Sequence, residues 1–252
     1  MKGVLRQAAL TLYRSLPVPV RRAFFAGHAR YCPVCDSAVG RFVEAGVNAL
    51  RPDARCPVCG SEERQRLAHV YATRRAGILG PGTKRVLHMA PSACLERRLP
   101  RIPGVRYTAA DLDPGPGQLQ ADITALPFED ASFEIVWCSH VLEHVVDDRA
   151  GMREMLRVLV PGGHAIVQVP VSANHTIEDA SVTDPERRLE LYGQRDHVRR
   201  YGPDVLARLR DAGFEAEALG PEDLLTEDEP VLMAVPDDEV VYACVRPRGR
   251  DN

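Results

Sequence analysis

Apolar and polar positions change their rhythm along this chain. From residue 84 onward, short apolar runs alternate with segments of helical periodicity, the pattern of a parallel sheet flanked by helices. The predicted strands are 84–89, 105–110, 117–121, 133–138 and 163–169. A helix is predicted over 147–159, with Ala150, Met155, Leu156 and Leu159 on its apolar side, stopping at Pro161-Gly162-Gly163. A second helix is predicted over 203–212, ending at Gly213. Strands at 214–219 and 239–246 fall outside the alternation with helices and read as a terminal antiparallel pair. The fold class is therefore α/β, with a mostly parallel sheet and helices on both faces.

The first 80 residues read differently. Residues 3–16 space Val4, Leu5, Ala8, Leu12, Tyr13 and Leu16 as a helix does, and Pro17 and Pro19 end the run. Such a helix caps a folded body or lies weakly on a membrane surface. Residues 63–78 predict another helix, and Gly80-Pro81-Gly82 breaks the chain beyond its end. The organisation is thus an N-terminal basic helix (1–29), a four-cysteine module (30–62), a linker helix (63–83) and a large α/β domain (84–252).

Composition adds bounds. With 252 residues and 45% hydrophobic content the chain can bury a full core. A formal charge of −3 gives no global attraction to nucleic acid or anionic membrane. Residues 1–35 carry six basic side chains and no acid, whereas residues 211–239 carry eleven acids and no Lys or Arg. The acidic stretch, and the lack of aromatics near the basic head beyond Tyr31 and Phe42, argue against nucleic acid as a partner. No run reaches the ~20 apolar residues that span a bilayer. Arg6 and Arg14 bracket too short an apolar stretch for an export signal.

Four of the seven cysteines form two identical pairs, Cys32-Pro33-Val34-Cys35 and Cys56-Pro57-Val58-Cys59, separated by 20 residues. Each C-x-x-C turn aims two thiolates at one point, and two such knuckles supply the four soft ligands of a tetrahedral zinc. A closed four-sulfur site leaves no open position, so it holds structure rather than performs chemistry. A mononuclear iron in the same ligand set would read identically. The odd cysteine total suits a reducing cytoplasm better than a disulfide framework.

The chemistry-bearing stretch runs from Val86 to Gly163. Asp111 follows 23 residues after His88, at the end of the next strand, about where a nucleotide-binding sheet offers a carboxylate to ribose hydroxyls. Asp122-Ile123 ends a further strand, placed to border an adenine ring. The strand at 133–138 delivers Ser139, His140, Glu143 and His144 to the carboxyl edge of the sheet. His140 and His144 would share one helix face with Glu143 nearby, but no third ligand is evident and no catalytic metal is expected.

The ordered series from Asp122 to Trp137, from Ser139 to Val145 and from Arg157 to Gly163 resembles the class I S-adenosylmethionine-dependent methyltransferases of the type 11 group. The resemblance covers roughly residues 84–170. It implies a seven-stranded sheet whose last strand is antiparallel, and S-adenosylmethionine as methyl donor. Carried over by position, His88, Ala90, Pro91, Asp111, Leu112, Asp122, Ile123, Ser139 and His140 would contact the cofactor. The chain departs from the family at one point: residues 88–94 contain no glycine where the family has a Gly-x-Gly-x-Gly loop. Glycines there let the backbone approach the cofactor closely. In this fold the loop after the fifth strand borders the acceptor, so His197 and Asp196, with His140, are the candidate catalytic groups. Arg199, Arg200 and nearby carboxylates offer the competing reading of a structural ion-pair network.

The leading expectation is a methyltransferase acting on a small molecule or glycan precursor. An RNA or protein methyltransferase that grips its substrate through the zinc module is the alternative. A zinc-bearing binding protein with a degenerate methyltransferase fold is the non-enzymatic one.

Overall fold

The computed structural model describes residues 16–46 and 50–249; the expected helix at 3–16 lies almost wholly outside them. The chain divides into two compact units. One gathers the described residues up to Val70 together with Ala93–Arg98 and Gly220–Glu239. The other comprises Tyr71–Ser92, Leu99–Leu219 and the chain from Val240 onward.

The first unit is built from short pieces. Helix α1 (Val18–Phe24) starts just after Pro17 and carries Pro19 in its first turn, where the missing amide costs nothing. The prolines that close an upstream helical pattern thus open another helix. Strand β1 (Ala26–Cys32) begins inside the segment expected to be helical and pairs antiparallel with β2 (Ser37–Val39). Strands β3 (Val43–Ala45) and β4 (Arg51–Arg55) form a second hairpin. None of the four was predicted, because strands this short have too few residues to display alternation. Arg66 is fully buried and holds the unit together. Its guanidinium donates to the carbonyls of Ala54, Ser61, Met233 and Ala234 and sits 4.4 Å from the centre of the Phe42 ring. Burial lowers its proton affinity. Four carbonyl acceptors offset the cost of burying the charge.

Helix α2 (Glu63–Arg74) stops four residues short of the predicted end. Gly77 adopts φ 68°, and the amides of Arg75 and Ala76 turn back onto the Tyr71 carbonyl, a glycine-terminated cap. Helix α3 (Ala93–Arg98), which belongs to the first unit, buries Cys94 and Leu95.

The second unit is a seven-stranded sheet. Its strands are β5 (Lys84–Met89), β6 (Val105–Asp111), β7 (Leu119–Gln120), β8 (Phe133–Ser139), β9 (Leu159–Gln168), β12 (Glu215–Leu219) and β13 (Val241–Val245). They lie in the order β12-β13-β9-β8-β5-β6-β7. All neighbours are parallel except β13, which is antiparallel to both β9 and β12. The seven strands and the reversed last strand are as expected. Strand β9 is longer than predicted: Leu159 already pairs with Phe133, and Pro161-Gly162-Gly163 forms a bulge before His164 meets Ile135. Helix α4 (Asp148–Val158), capped by Asp147 accepting from the Ala150 amide at 2.9 Å, buries Met152, Met155 and Val158 against Leu87, Val136 and Ala165 of the sheet. Helix α6 (Val205–Asp211) adds Val205 and Leu209 to the same core.

This order places the chemistry. From β5 the chain moves outward on one side to β6 and β7, then returns to the other side as β8 and β9. Between β5 and β8 lies the switch point, where connections leave in opposite directions and open a crevice at the carboxyl ends of the strands.

Candidate functional site

The crevice is a cavity of about 610 Å³ at that edge. Its wall is assembled from the ends of four strands: Met89 and Ala90 after β5, Asp111 and Leu112 after β6, Asp122 and Ile123 after β7, and His140 after β8. Six of the nine residues expected to contact a cofactor therefore face one space.

Ala90 shows how a loop without glycine serves. It takes φ 44°, a left-handed conformation usually left to glycine, while its amide donates to the Ala110 carbonyl at 2.8 Å. A single methyl group is the smallest side chain that can stand at such a position. His140 also has positive φ, at 57°, with its amide donating to the Gln168 carbonyl at 2.8 Å. Both residues bend the chain sharply where it leaves its strand at the mouth of the crevice.

The two carboxylates differ in use. Asp122 Oδ1 accepts from both the amide and the hydroxyl of Thr124, at 2.8 Å each, which fixes the turn that presents Ile123. Asp111 Oδ1 accepts from the Asp113 amide at 3.1 Å. Gly151 of α4 lets Ile123 settle: a Cβ there would lie 3.3 Å from Ile123 Cγ2.

The remaining three expected contacts are not among the groups lining the cavity. His88 alternates with Met89 on β5 and so points to the other face of the sheet. It is buried with Nδ1 3.0 Å from the Tyr107 hydroxyl, its ring packed near Trp137. Burial pushes its pKa down to about 3, so it is neutral. Ser139 donates to Gln168 Oε1 at 3.1 Å. Pro91 is half-buried beside Ala90, outside the lining.

The candidate catalytic groups His197 and Asp196, neighbours in sequence, have different partners. Asp196 is exposed, and its carboxylate lies 3.2 Å from Nδ1 of His144, not of its neighbour. His197 is buried, with Nδ1 3.2 Å from the Tyr192 carbonyl, and its ring meets that of His144 edge-on at 4.7 Å. His144 itself lines the cavity, as does His140, whose Nδ1 lies 3.1 Å from Oε1 of the buried Glu143. The sequence placed His144 at this edge of the sheet but not among the cofactor or catalytic candidates. Its adjacency to Glu143 was visible, but its partners come from far along the chain.

The competing ion-pair network also exists. Buried Arg199 reaches Glu178 at 2.8 Å and Asp148 at 3.7 Å, and donates to the carbonyls of Leu142, Val145 and Val146. Arg208 joins the same two carboxylates. Its guanidinium and that of Arg199 hold Glu178 down to about 2. Arg200 stands apart, on Ser172.

In the first unit the four thiols meet. Cys32 and Cys59 Sγ are 3.6 Å apart, Cys35 and Cys56 Sγ are 3.8 Å apart, and all four atoms lie within 4.8 Å of one another. Each knuckle is followed by a left-handed residue, Asp36 at φ 50° and Gly60 at φ 84°. Although burial raises the Cys32 thiol, hydrogen bonds from the other cysteines and Ser61 bring it well below the ordinary range.

Residues 89–167 match a family model described as a methyltransferase domain. Among curated relatives, a demethylmenaquinone methyltransferase from Mycolicibacterium paratuberculosis is 37% identical over 105 residues, 38% of this chain and 45% of that protein. One from Mycobacterium marinum is 38% identical over 114 residues, 40% of this chain and 49% of that protein. The chain thus spans less than half the length of these relatives. Of the solved structures, an S-adenosylmethionine-dependent methyltransferase from Mesorhizobium loti is similar at 17% identity and TM-score 0.45, covering 69% of this chain and 97% of that one. The family match is confined to residues 89–167, and the seven-stranded sheet that carries them has the antiparallel last strand that the resemblance implied.

Proposed function

We propose that this chain transfers a methyl group from S-adenosylmethionine to a small-molecule acceptor. The observation that carries the reading is the convergence of Ala90, Asp111, Asp122-Ile123 and His140 from four strand ends on one cavity at the switch point. When bound, the donor supplies an electrophilic methyl carbon on a sulfonium. The protein's part is to bind, orient and exclude water.

The residues present fit that donor. Asp111 has acceptor oxygens for a vicinal diol at the end of β6. Leu112 and Ile123 give apolar walls suited to an adenine ring, with Asp122 holding Ile123 in place. The bend at Ala90 carries only a methyl group where the backbone must come close. His140 and His144 also line the cavity, with the Asp196 carboxylate beside His144. We assign the acceptor side to these two histidines, with Asp196 and His197 acting through His144. The relatives' printed name, demethylmenaquinone methyltransferase, favours a small molecule over RNA or protein as acceptor. A glycan precursor remains within that class.

The four-cysteine cluster fits zinc. At a Zn–S distance of ~2.3 Å, tetrahedral sulfurs stand about 3.8 Å apart, close to the 3.6 and 3.8 Å found. The cysteines would hold the ion and tie the two hairpins together. None of the seven cysteines is in a disulfide, and the two C-x-x-C pairs suit a metal site in a reducing cytoplasm. No helix among the described residues is long and apolar enough to cross a membrane.

The test is label transfer from methyl-labelled S-adenosylmethionine to pools of small hydroxylated metabolites, with RNA and protein pools alongside. Label in the small-molecule pool supports the reading. Label confined to RNA or protein, or none in any pool, overturns it.

A further inference from the structure

We propose that Glu143, His144 and His197 form a second metal site, for a divalent transition-metal ion, at the edge of the crevice. One ligand atom from each lies within 4.8 Å of the others. Bonds of ~2.1 Å to nitrogen and oxygen set ligand atoms about 3–4 Å apart, so an ion closes the cluster with a small inward shift of side chains.

Two features fit a ligand set better than ordinary core polarity. Glu143 is 1% exposed; its Oε1 is engaged by His140, while Oε2 is buried and has no partner. A buried carboxylate oxygen without a donor is costly, and a cation at that point satisfies it. Both imidazoles are backed at Nδ1, His144 by the Asp196 carboxylate and His197 by the Tyr192 carbonyl, each at 3.2 Å. The Tyr192 carbonyl can only accept, so it holds the His197 proton on Nδ1 and leaves Nε2 as the donor atom, while the Asp196 carboxylate stands on the Nδ1 side of His144, as partners of metal-binding histidines do elsewhere.

The ligand set also says which ions suit it. Two imidazoles and a carboxylate prefer Mn(II), Fe(II), Co(II) or Zn(II), unlike the all-thiolate cluster of the first unit. Three protein ligands leave at least one position open, the mark of a reactive rather than a structural site. His144 and His140 both line the crevice, so an open position on the His144 side is reachable by a molecule held there. A divalent ion binding a hydroxyl lowers its pKa. The acceptor class is therefore one bearing a hydroxyl or an adjacent pair of oxygens. This last step rests on the methyl-transfer reading; the metal site itself does not.

The experiment titrates Co(II) into the full chain after zinc has filled the thiolate cluster. One further equivalent should bind, with weak visible ligand-field bands and no intense thiolate charge-transfer band. Glu143→Gln and His144→Gln should each weaken that binding at least 100-fold, and Asp196→Asn about 10- to 100-fold. His144 and Asp196 are exposed, so their variants keep the fold even if the buried Glu143 variant does not. Absence of the second equivalent, or equal affinity in the His144 and Asp196 variants, overturns the proposal. Cobalt uptake is read without donor or acceptor. A chain that takes cobalt but does not bind S-adenosylmethionine would keep this site and lose the methyl-transfer reading.

Discussion

The four-cysteine cluster and the crevice are both places where side chains converge, but they are assembled in opposite ways. The thiols arrive as two local pairs, each on its own tight turn ended by a left-handed residue. The crevice draws single residues from the ends of β5, β6, β7 and β8, and only the strand order brings them together. The first is closed and buried around itself; the second is open and walled by apolar groups. Local assembly suits holding a fold together, because ligands and turns form at once. Distributed assembly suits chemistry, because each wall is set by a rigid strand and varies independently.

That contrast can be broken most forcefully at the thiols. With Cys32→Ser and Cys56→Ser together, bound zinc should fall from about one per chain to none. Amide protection should collapse across Ala26–Cys32 and Arg51–Arg55 while Phe133–Ser139 keeps its own. Structural zinc contributes on the order of 10 kcal/mol in zinc-finger peptides. Hydrogen exchange that left the hairpins protected without metal would remove the structural role.

In the crevice the effects are smaller and graded. Ala90→Val places a β-branched side chain at φ 44°, which should cost about 1–3 kcal/mol and lower donor affinity. Ala90→Gly should change stability by at most ~1 kcal/mol. Melting curves and donor titrations on the two variants check this. Equal behaviour of valine and glycine would show that the bend is not constrained.

A further effect is a matter of pH. His88 has a folded-state pKa near 3, against ~6.5 for an unfolded histidine. Its neutral burial therefore carries no penalty above about pH 6.5. As pH falls from there towards 3, the unfolded chain takes up a proton that the folded one refuses, and stability declines. His88→Phe should flatten that part of the stability profile. An unchanged slope in denaturant titrations across this range would contradict the burial account.

Much of this was legible in the chain. Strands β5, β6 and β8 each carry a short apolar run, such as Val86-Leu87, Ala109-Ala110 and Ile135–Cys138, and they stand within a residue of prediction. The cysteine pairs were legible because their chemistry is local. His88 does not line the crevice because a strand shows alternate residues to opposite faces and Met89 holds that side, whereas Ser139 ends β8 with its hydroxyl donating to Gln168. The Asp196–His144 contact could not be read at all, since it depends on how the segment after β9 folds back. Short pairings such as β10 (Ile177–Glu178) with β11 (Arg199–Arg200) carry no pattern to detect. Helix α5 (Pro185–Tyr192), capped by Asp184, carried a proline-first start signal that the reading passed over.

The central claim is that the crevice binds S-adenosylmethionine through a carboxylate at the end of β6. Calorimetric titration of the donor into the wild-type chain and into Asp111→Ala tests it most directly. Two charge-assisted hydrogen bonds at ~1.5–3 kcal/mol each predict measurable binding by the former and an affinity at least about 100-fold lower for the latter, with an unchanged melting temperature. No binding by the wild type at millimolar donor, or equal affinity in both, would contradict the account.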